Sequence, residues 1–146
     1  MKHLLFIILP CLFLSMPLLA DNLSHWQRLA DKGSANAQFN LGAMYDNGDG
    51  VPEDDTEAAK WYQQAASQGH VNAQFNLGVM YANGEGVTEN ATEAATWYRK
   101  AAYQGDYRAQ YNLGALYANG KASRKIIVRV ISGGNSRHCQ GTGTWQ

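Results

Sequence analysis

The chain has 146 residues, 45% of them hydrophobic, and its twelve acidic side chains balance twelve Lys and Arg. That is about one domain's length, enough to bury a modest core. Residues 21–120 hold all twelve acids and six of the bases, whereas 121–146 hold five bases and no acid, so the acidic body excludes nucleic acid as the expected partner.

The first twenty residues read as a secretory leader. Lys2 and His3 give a positive start, Leu4 to Leu14 an apolar run, and Leu18-Leu19-Ala20 a cleavage site ahead of the polar Asp21-Asn22. The apolar run is too short to span a bilayer comfortably, and Pro10 and Pro17 interrupt it. Cys11 follows Pro10 rather than the small residue expected before a lipid-modified cysteine. Secretion to the bacterial periplasm is therefore expected, with no membrane attachment after cleavage. Cys139 would then be the one thiol left, and no internal disulfide could form.

Asn36-Ala-Gln-Phe-Asn-Leu-Gly42 returns as Asn72 to Gly78 and, lightly edited, as Arg108 to Gly114, at an interval of 36 residues both times. A fixed period of this size predicts a solenoid in which each unit buries its apolar side against the next. Residues 21–34 align at the same offset with the end of the first unit: Trp26 takes the place of Tyr62, Ala30 of Ala66 and Gly33 of Gly69. They are expected to form a lone helix capping the front of the stack.

Repeat 1 covers residues 35–70. Ala37, Leu41, Met44 and Tyr45 form one apolar stripe of a first helix (A), which Asn47-Gly48 and Gly50 end. Asp54 with Glu57 three residues on resembles a capping box that starts a second helix (B). Its buried stripe is Ala58, Trp61, Tyr62, Ala65 and Ala66, and Gly69 closes it. Repeat 2, residues 71–106, matches repeat 1 at 24 of 36 positions and predicts the same pair. Gly42, Gly78 and Gly114 fall inside A helices, where glycine costs about 1 kcal/mol against alanine. Their recurrence predicts a close approach there by Trp or Tyr of the neighbouring helix.

Repeat 3 begins with an A helix at 107–120, and then the pattern breaks: residues 121–146 form a divergent tail, with disorder expected from Ser132. The tail has the character of a frameshift. Read from the third base of the Lys121 codon, synonymous codons permit GVPQDYSQGDKWWQ, which restores Gly-Val-Pro and an aromatic pair near their expected places. The gene's nucleotide sequence decides between this and a naturally divergent tail.

The fixed residues resemble the Sel-one-like repeat (SLR) family, a relative of the tetratricopeptide repeats. The pattern is carried by Ala37, Leu41, Gly42, Tyr45, Gly48, Gly50, Val51, Ala58, Trp61, Tyr62, Ala65, Ala66 and Gly69 and by their equivalents 36 residues later. The resemblance implies an all-α right-handed superhelix of helix pairs, used as a scaffold for protein complexes. By analogy with tetratricopeptide repeats, A-helix positions line the concave face: Asn36, Phe39, Ala43 and Asn47; Asn72, Phe75, Val79 and Asn83; Arg108, Tyr111, Ala115 and Asn119. The column Phe39, Phe75, Tyr111 beside rows of asparagine would suit a peptide or protein partner, with aromatics as anchors and amides for its backbone. The same aromatics could equally pack between neighbouring helices.

Nothing in the sequence predicts catalysis, a cofactor or a metal. His25, His70 and His138 share no ligand spacing, and His70 falls at an inter-helix turn where Asp106 stands in the next unit, which favours a capping role. Asp46, Asp49, Glu53, Asp54 and Asp55 do not fit the spacing of a calcium loop. Trp61 and Trp97 lie on the buried B-helix stripe rather than at a stacking site. The expected function is a secreted, non-enzymatic repeat scaffold. The alternatives are a hydrolase or β-lactam-interacting protein like the cysteine-rich branch, whose paired cysteines this chain lacks, or a non-functional frameshifted remnant.

Overall fold

In a computed structural model the chain is described over residues 16–122, with side chains from Asn22 onward. Most of the expected leader (1–20) and nearly all of the divergent tail (121–146) lie outside the described residues. Six helices follow one another: α1 (Met16–Asp31), α2 (Ala35–Asn47), α3 (Asp55–Ser67), α4 (Val71–Asn83), α5 (Ala91–Tyr103) and α6 (Tyr107–Ala118). The described residues are all helix and turn. α1 begins several residues ahead of the expected front-end helix at 21–34 and, like that segment, packs on α2.

Each helix packs chiefly on its neighbours in sequence, so the core is distributed along a stack rather than gathered at one centre. Ala30, Ala37 and Leu41 form its front end, flanked by Trp26 and Trp61. The middle is built on Ala58, Tyr62, Ala66, Ala73, Leu77 and Met80, with Trp97 reaching back onto it from α5. The back end holds Ala94, Tyr98, Ala101, Ala109 and Leu116. Both tryptophans of the B helices are thus packing residues. Alanine dominates because the helices lie close, and the few large side chains fall where glycine makes room for them.

That room is at Gly42 and Gly78. A methyl group at Gly42 would lie 2.5 Å from Tyr62 Cδ1, and one at Gly78 would lie 2.6 Å from Tyr98 Cδ1. The partner is the tyrosine of the B helix in the same unit, not the tryptophan beside it. Loss of helix propensity at glycine is offset by the near-complete burial of each ring, with Tyr62 1% and Tyr98 3% exposed.

The helix starts are set by local caps. Asp54 Oδ1 accepts from the Glu57 amide at 3.0 Å, and Asn90 Oδ1 accepts from Thr92 and Glu93. Only half of the expected capping box forms: the Asp54 amide donates to the Tyr45 carbonyl, and the Glu57 carboxylate pairs with Lys60 instead of reaching back. Gly86 adopts φ +63°, and a side chain there would overlap the backbone carbonyl of Asp55 at the start of α3. The loop after α4 therefore rests directly on the unit before it.

Ser34, His70 and Asp106 cap the three A helices in turn. His70 Nδ1 accepts from the Ala73 amide at 3.2 Å while its ring stacks on Phe39 with centroids 4.5 Å apart. Burial lowers its pKa from the ordinary value. A folded-state pKa below the unfolded one means that the unfolded chain binds more protons as the pH falls through about 6.5, so stability is lost on acidification. Protonation also removes the lone pair that caps α4. Asp106 titrates lower still, held down by Arg108, and so does not share this window. His70→Asp is expected to flatten the stability profile between about pH 7 and pH 5 and to raise stability at the acid end by about 1 kcal/mol. Urea midpoints at the two pH values check this.

Candidate functional site

The predicted face falls on the A helices α2, α4 and α6, one row of residues from each. Asn36 and Asn72 are exposed at the first turns of α2 and α4. Phe39 and Phe75 are half-buried: Phe39 lies 5.7 Å from the Tyr62 ring, and Phe75 lies 5.8 Å from the Tyr98 ring. Tyr111 is 78% exposed. The column is therefore a set of rings that lean on the B helices with one edge and meet solvent with the other, except at α6.

Each of the two phenylalanines is partly roofed by a residue at the start of the following A helix. His70 covers Phe39, and the Arg108 guanidinium carbon lies 4.3 Å from the Phe75 ring centroid. Arg108 is also bound by Asp106, with Nη2 2.6 Å from Oδ2, and donates to Asn72 Oδ1 at 2.8 Å. Its charge is thus committed within the protein, and it ties position 72 to position 108 rather than standing free for a partner. This three-way contact was not visible in the sequence, where Arg108 simply replaces asparagine.

Asn47, Asn83 and Asn119 end the rows and are exposed. Asn47 Nδ2 donates to the Ala43 carbonyl and Asn83 Nδ2 to Glu85, while Asn119 caps α6. Asn83 and Asn119 are brought together around a hollow of about 340 Å³ between α4 and α6, with Val79, Ala115, Tyr98 and Asn112 also lining it and Lys121 at its rim. In the preceding unit an acid stands at the matching place. There the Tyr62 hydroxyl donates to Asp46 Oδ2 at 3.0 Å, and burial raises the Asp46 carboxyl while burial and that carboxylate push the Tyr62 hydroxyl far above its usual range. At the matching position of repeat 2 stands Ala82, so the Tyr98 hydroxyl, raised by burial, bonds Asn112 and faces open space.

Sequence reasoning passed over the glutamine in the most constant stretch. Gln38 and Gln74 are the buried polar side chains among the described residues. Gln38 Nε2 donates to the Ala30 carbonyl and to Gln64, and its oxygen accepts from Gln68 Nε2 at 2.7 Å. Gln74 repeats the pattern with the Ala66 carbonyl and Gln104. Each glutamine staples an A helix to the B helices on both sides. Its recurrence at 36-residue spacing was the signal that could have found it.

No group of His, Cys, Asp and Glu placed to hold a metal occurs among the described residues. No helix among them is long and apolar enough to cross a membrane. The arrangement offers a ridged face of aromatic and amide side chains, suited to contact with a polypeptide.

The Sel1 repeat model matches residues 35–70, 71–106 and 108–125, more than half of the chain. Among solved structures, the chain is similar to c5321, a protective antigen of uropathogenic Escherichia coli strains with an SLR fold. The two are 42% identical over 67% of this chain and 21% of that one, with a TM-score of 0.64. A Sel1 repeat protein from Oxalobacter formigenes is 36% identical over 73% of this chain and 46% of its own, with a TM-score of 0.60. Helicobacter pylori cysteine rich protein B is 27% identical over 62% of this chain and 68% of its own, also with a TM-score of 0.60. This chain thus spans less than half the length of the first two. No curated protein matches it.

Proposed function

The chain belongs to the Sel1 repeat family, whose repeats serve as protein–protein interaction scaffolds, and we propose that it works as a secreted, periplasmic docking module without catalysis of its own. Its partner is a protein or peptide that lies across the A-helix face defined by Asn36, Phe39, Asn47, Asn72, Phe75, Asn83, Arg108, Tyr111 and Asn119, with no cofactor involved.

The observation that carries this reading is the half-open aromatic column. Phe39 and Phe75 are fixed from behind by Tyr62 and Tyr98, so their rings are held rigid while one edge stays accessible. Rigid, partly exposed aromatics beside hydrogen-bonding amides are the usual anchors of a polypeptide interface. The hollow beside Asn83 and Asn119 adds a recess for one side chain of the partner. Arg108 contributes by positioning Phe75 rather than by free charge. The positive start and apolar run at the N-terminus support export. The description of the E. coli relative as a protective antigen fits the same reading.

Phe75→Ala tests the face. Because the ring is only half-buried, the substitution is expected to cost about 1–2 kcal/mol, below the range for a fully buried phenylalanine. The variant should stay folded by circular dichroism and lose most of the partner that the parent protein retains from an envelope fraction. Equal retention by the folded variant would place binding elsewhere.

A further inference from the structure

In the first two units the A-helix glycine is filled by the B-helix tyrosine of the same unit, but at Gly114 a methyl group would meet nothing within 4 Å. The same flank of α6 leaves Tyr107 76% and Tyr111 78% exposed. One unit earlier, Phe75 stands at the Tyr111 position and packs on Tyr98. α6 therefore presents a glycine notch beside an exposed tyrosine, shaped for a B helix that none of the described residues supplies.

In the sequence beyond α6 the aromatic pair of a B helix does not recur in register. Trp97 and Tyr98 correspond, 36 residues on, to Gly133 and Gly134. α1 does carry an aromatic in register. It stands to α2 as α3 stands to α4 and α5 to α6: the Ala30 carbonyl accepts from Gln38 as Ala66 accepts from Gln74 and Ala102 from Gln110. Trp26 occupies the Tyr62 position and is only half-buried, because the other side of α1 carries no A helix among the described residues. α1 packs on α2 and α6 on α5 at opposite ends of the stack, so one chain cannot bring the two together.

We propose that α1 of one copy docks on α6 of another as the missing B helix. Trp26 enters the notch over Gly114 beside Tyr111, as Tyr62 lies over Gly42 beside Phe39. Lys32 falls at the position of Gln68, whose side-chain N–H donates to Gln38, so across the junction the Lys32 ammonium meets the side-chain oxygen of Gln110. The two surfaces differ, so the contact is heterologous and repeats along an open chain of copies, continuing the 36-residue stack across each junction.

The test is sedimentation equilibrium of the full chain in density-matched nonionic detergent, which keeps the apolar Leu4–Leu14 run solvated. The parent protein should show a mass that rises with concentration past that of a dimer. Gly114→Leu fills the notch, where there is room for a folded monomer, and should lose the association while keeping its helical circular dichroism. Mixed with the parent, Gly114→Leu should still add through its α1 and stop growth, shifting the assembly to short species. A strictly monomeric parent, association that persists in Gly114→Leu, or a parent assembly unaffected by the added variant would each overturn the proposal.

Discussion

Gly86→Ala is expected to destabilise the protein by about 3–5 kcal/mol, a large share of the 5–15 kcal/mol that holds a typical domain together. Two costs add. Alanine at φ +63° loses about 1–2 kcal/mol against glycine. The new methyl also overlaps the Asp55 carbonyl, which belongs to backbone at the start of α3 and cannot swing aside as a side chain would. The loop must lift off the preceding unit, and contact between the two units weakens. Gly105→Ala separates the two costs: its φ is also positive, at +94°, but nothing lies within 4 Å of the added carbon. Its cost should stay at about 1 kcal/mol. Urea unfolding followed by circular dichroism compares them, and equal midpoints for the two variants would show that the overlap at Asp55 is relieved without loss.

Tyr62→Ala should be similarly damaging, at about 3–5 kcal/mol, because it empties the space that Gly42 leaves and strips Phe39 of its support. Tyr62→Phe keeps the ring and removes only the hydroxyl's hydrogen bonds, to Asp46 and to Asn76, at a cost of about 1–2 kcal/mol. The difference between the two variants measures ring packing apart from the hydroxyl. If Tyr62→Phe proved as costly as Tyr62→Ala, the hydroxyl's hydrogen bonds rather than the Gly42 notch would be what holds the ring in place.

The features that repeat are legible in the sequence. A 36-residue period fixes the helix pairs, the alanine stripes and the need for something large over Gly42 and Gly78. Which aromatic fills the notch was less clear, since Trp61 and Tyr62 are adjacent in sequence. A rotation of 100° between neighbours sends Tyr62 into its own unit and Trp61 towards the unit before. Contacts between units were not legible. The Arg108 clamp on Asn72 and Phe75 joins residues more than thirty positions apart, and no local rule links them. The half-formed capping box failed for a related reason: the Asp54 amide finds the Tyr45 carbonyl across the loop, which leaves Glu57 free to pair with Lys60.

The buried glutamines also bear on how the chain gains its structure during synthesis. Gln38 is not fully bonded until Gln68 has joined it, nor Gln74 until Gln104 has arrived. A nascent segment that ends between the A and B helices of one unit thus leaves the glutamine amide with one arm empty, a cost relieved when about thirty residues beyond the glutamine have left the ribosome. Order should advance in steps, each emerging B helix locking the A helix translated just before it.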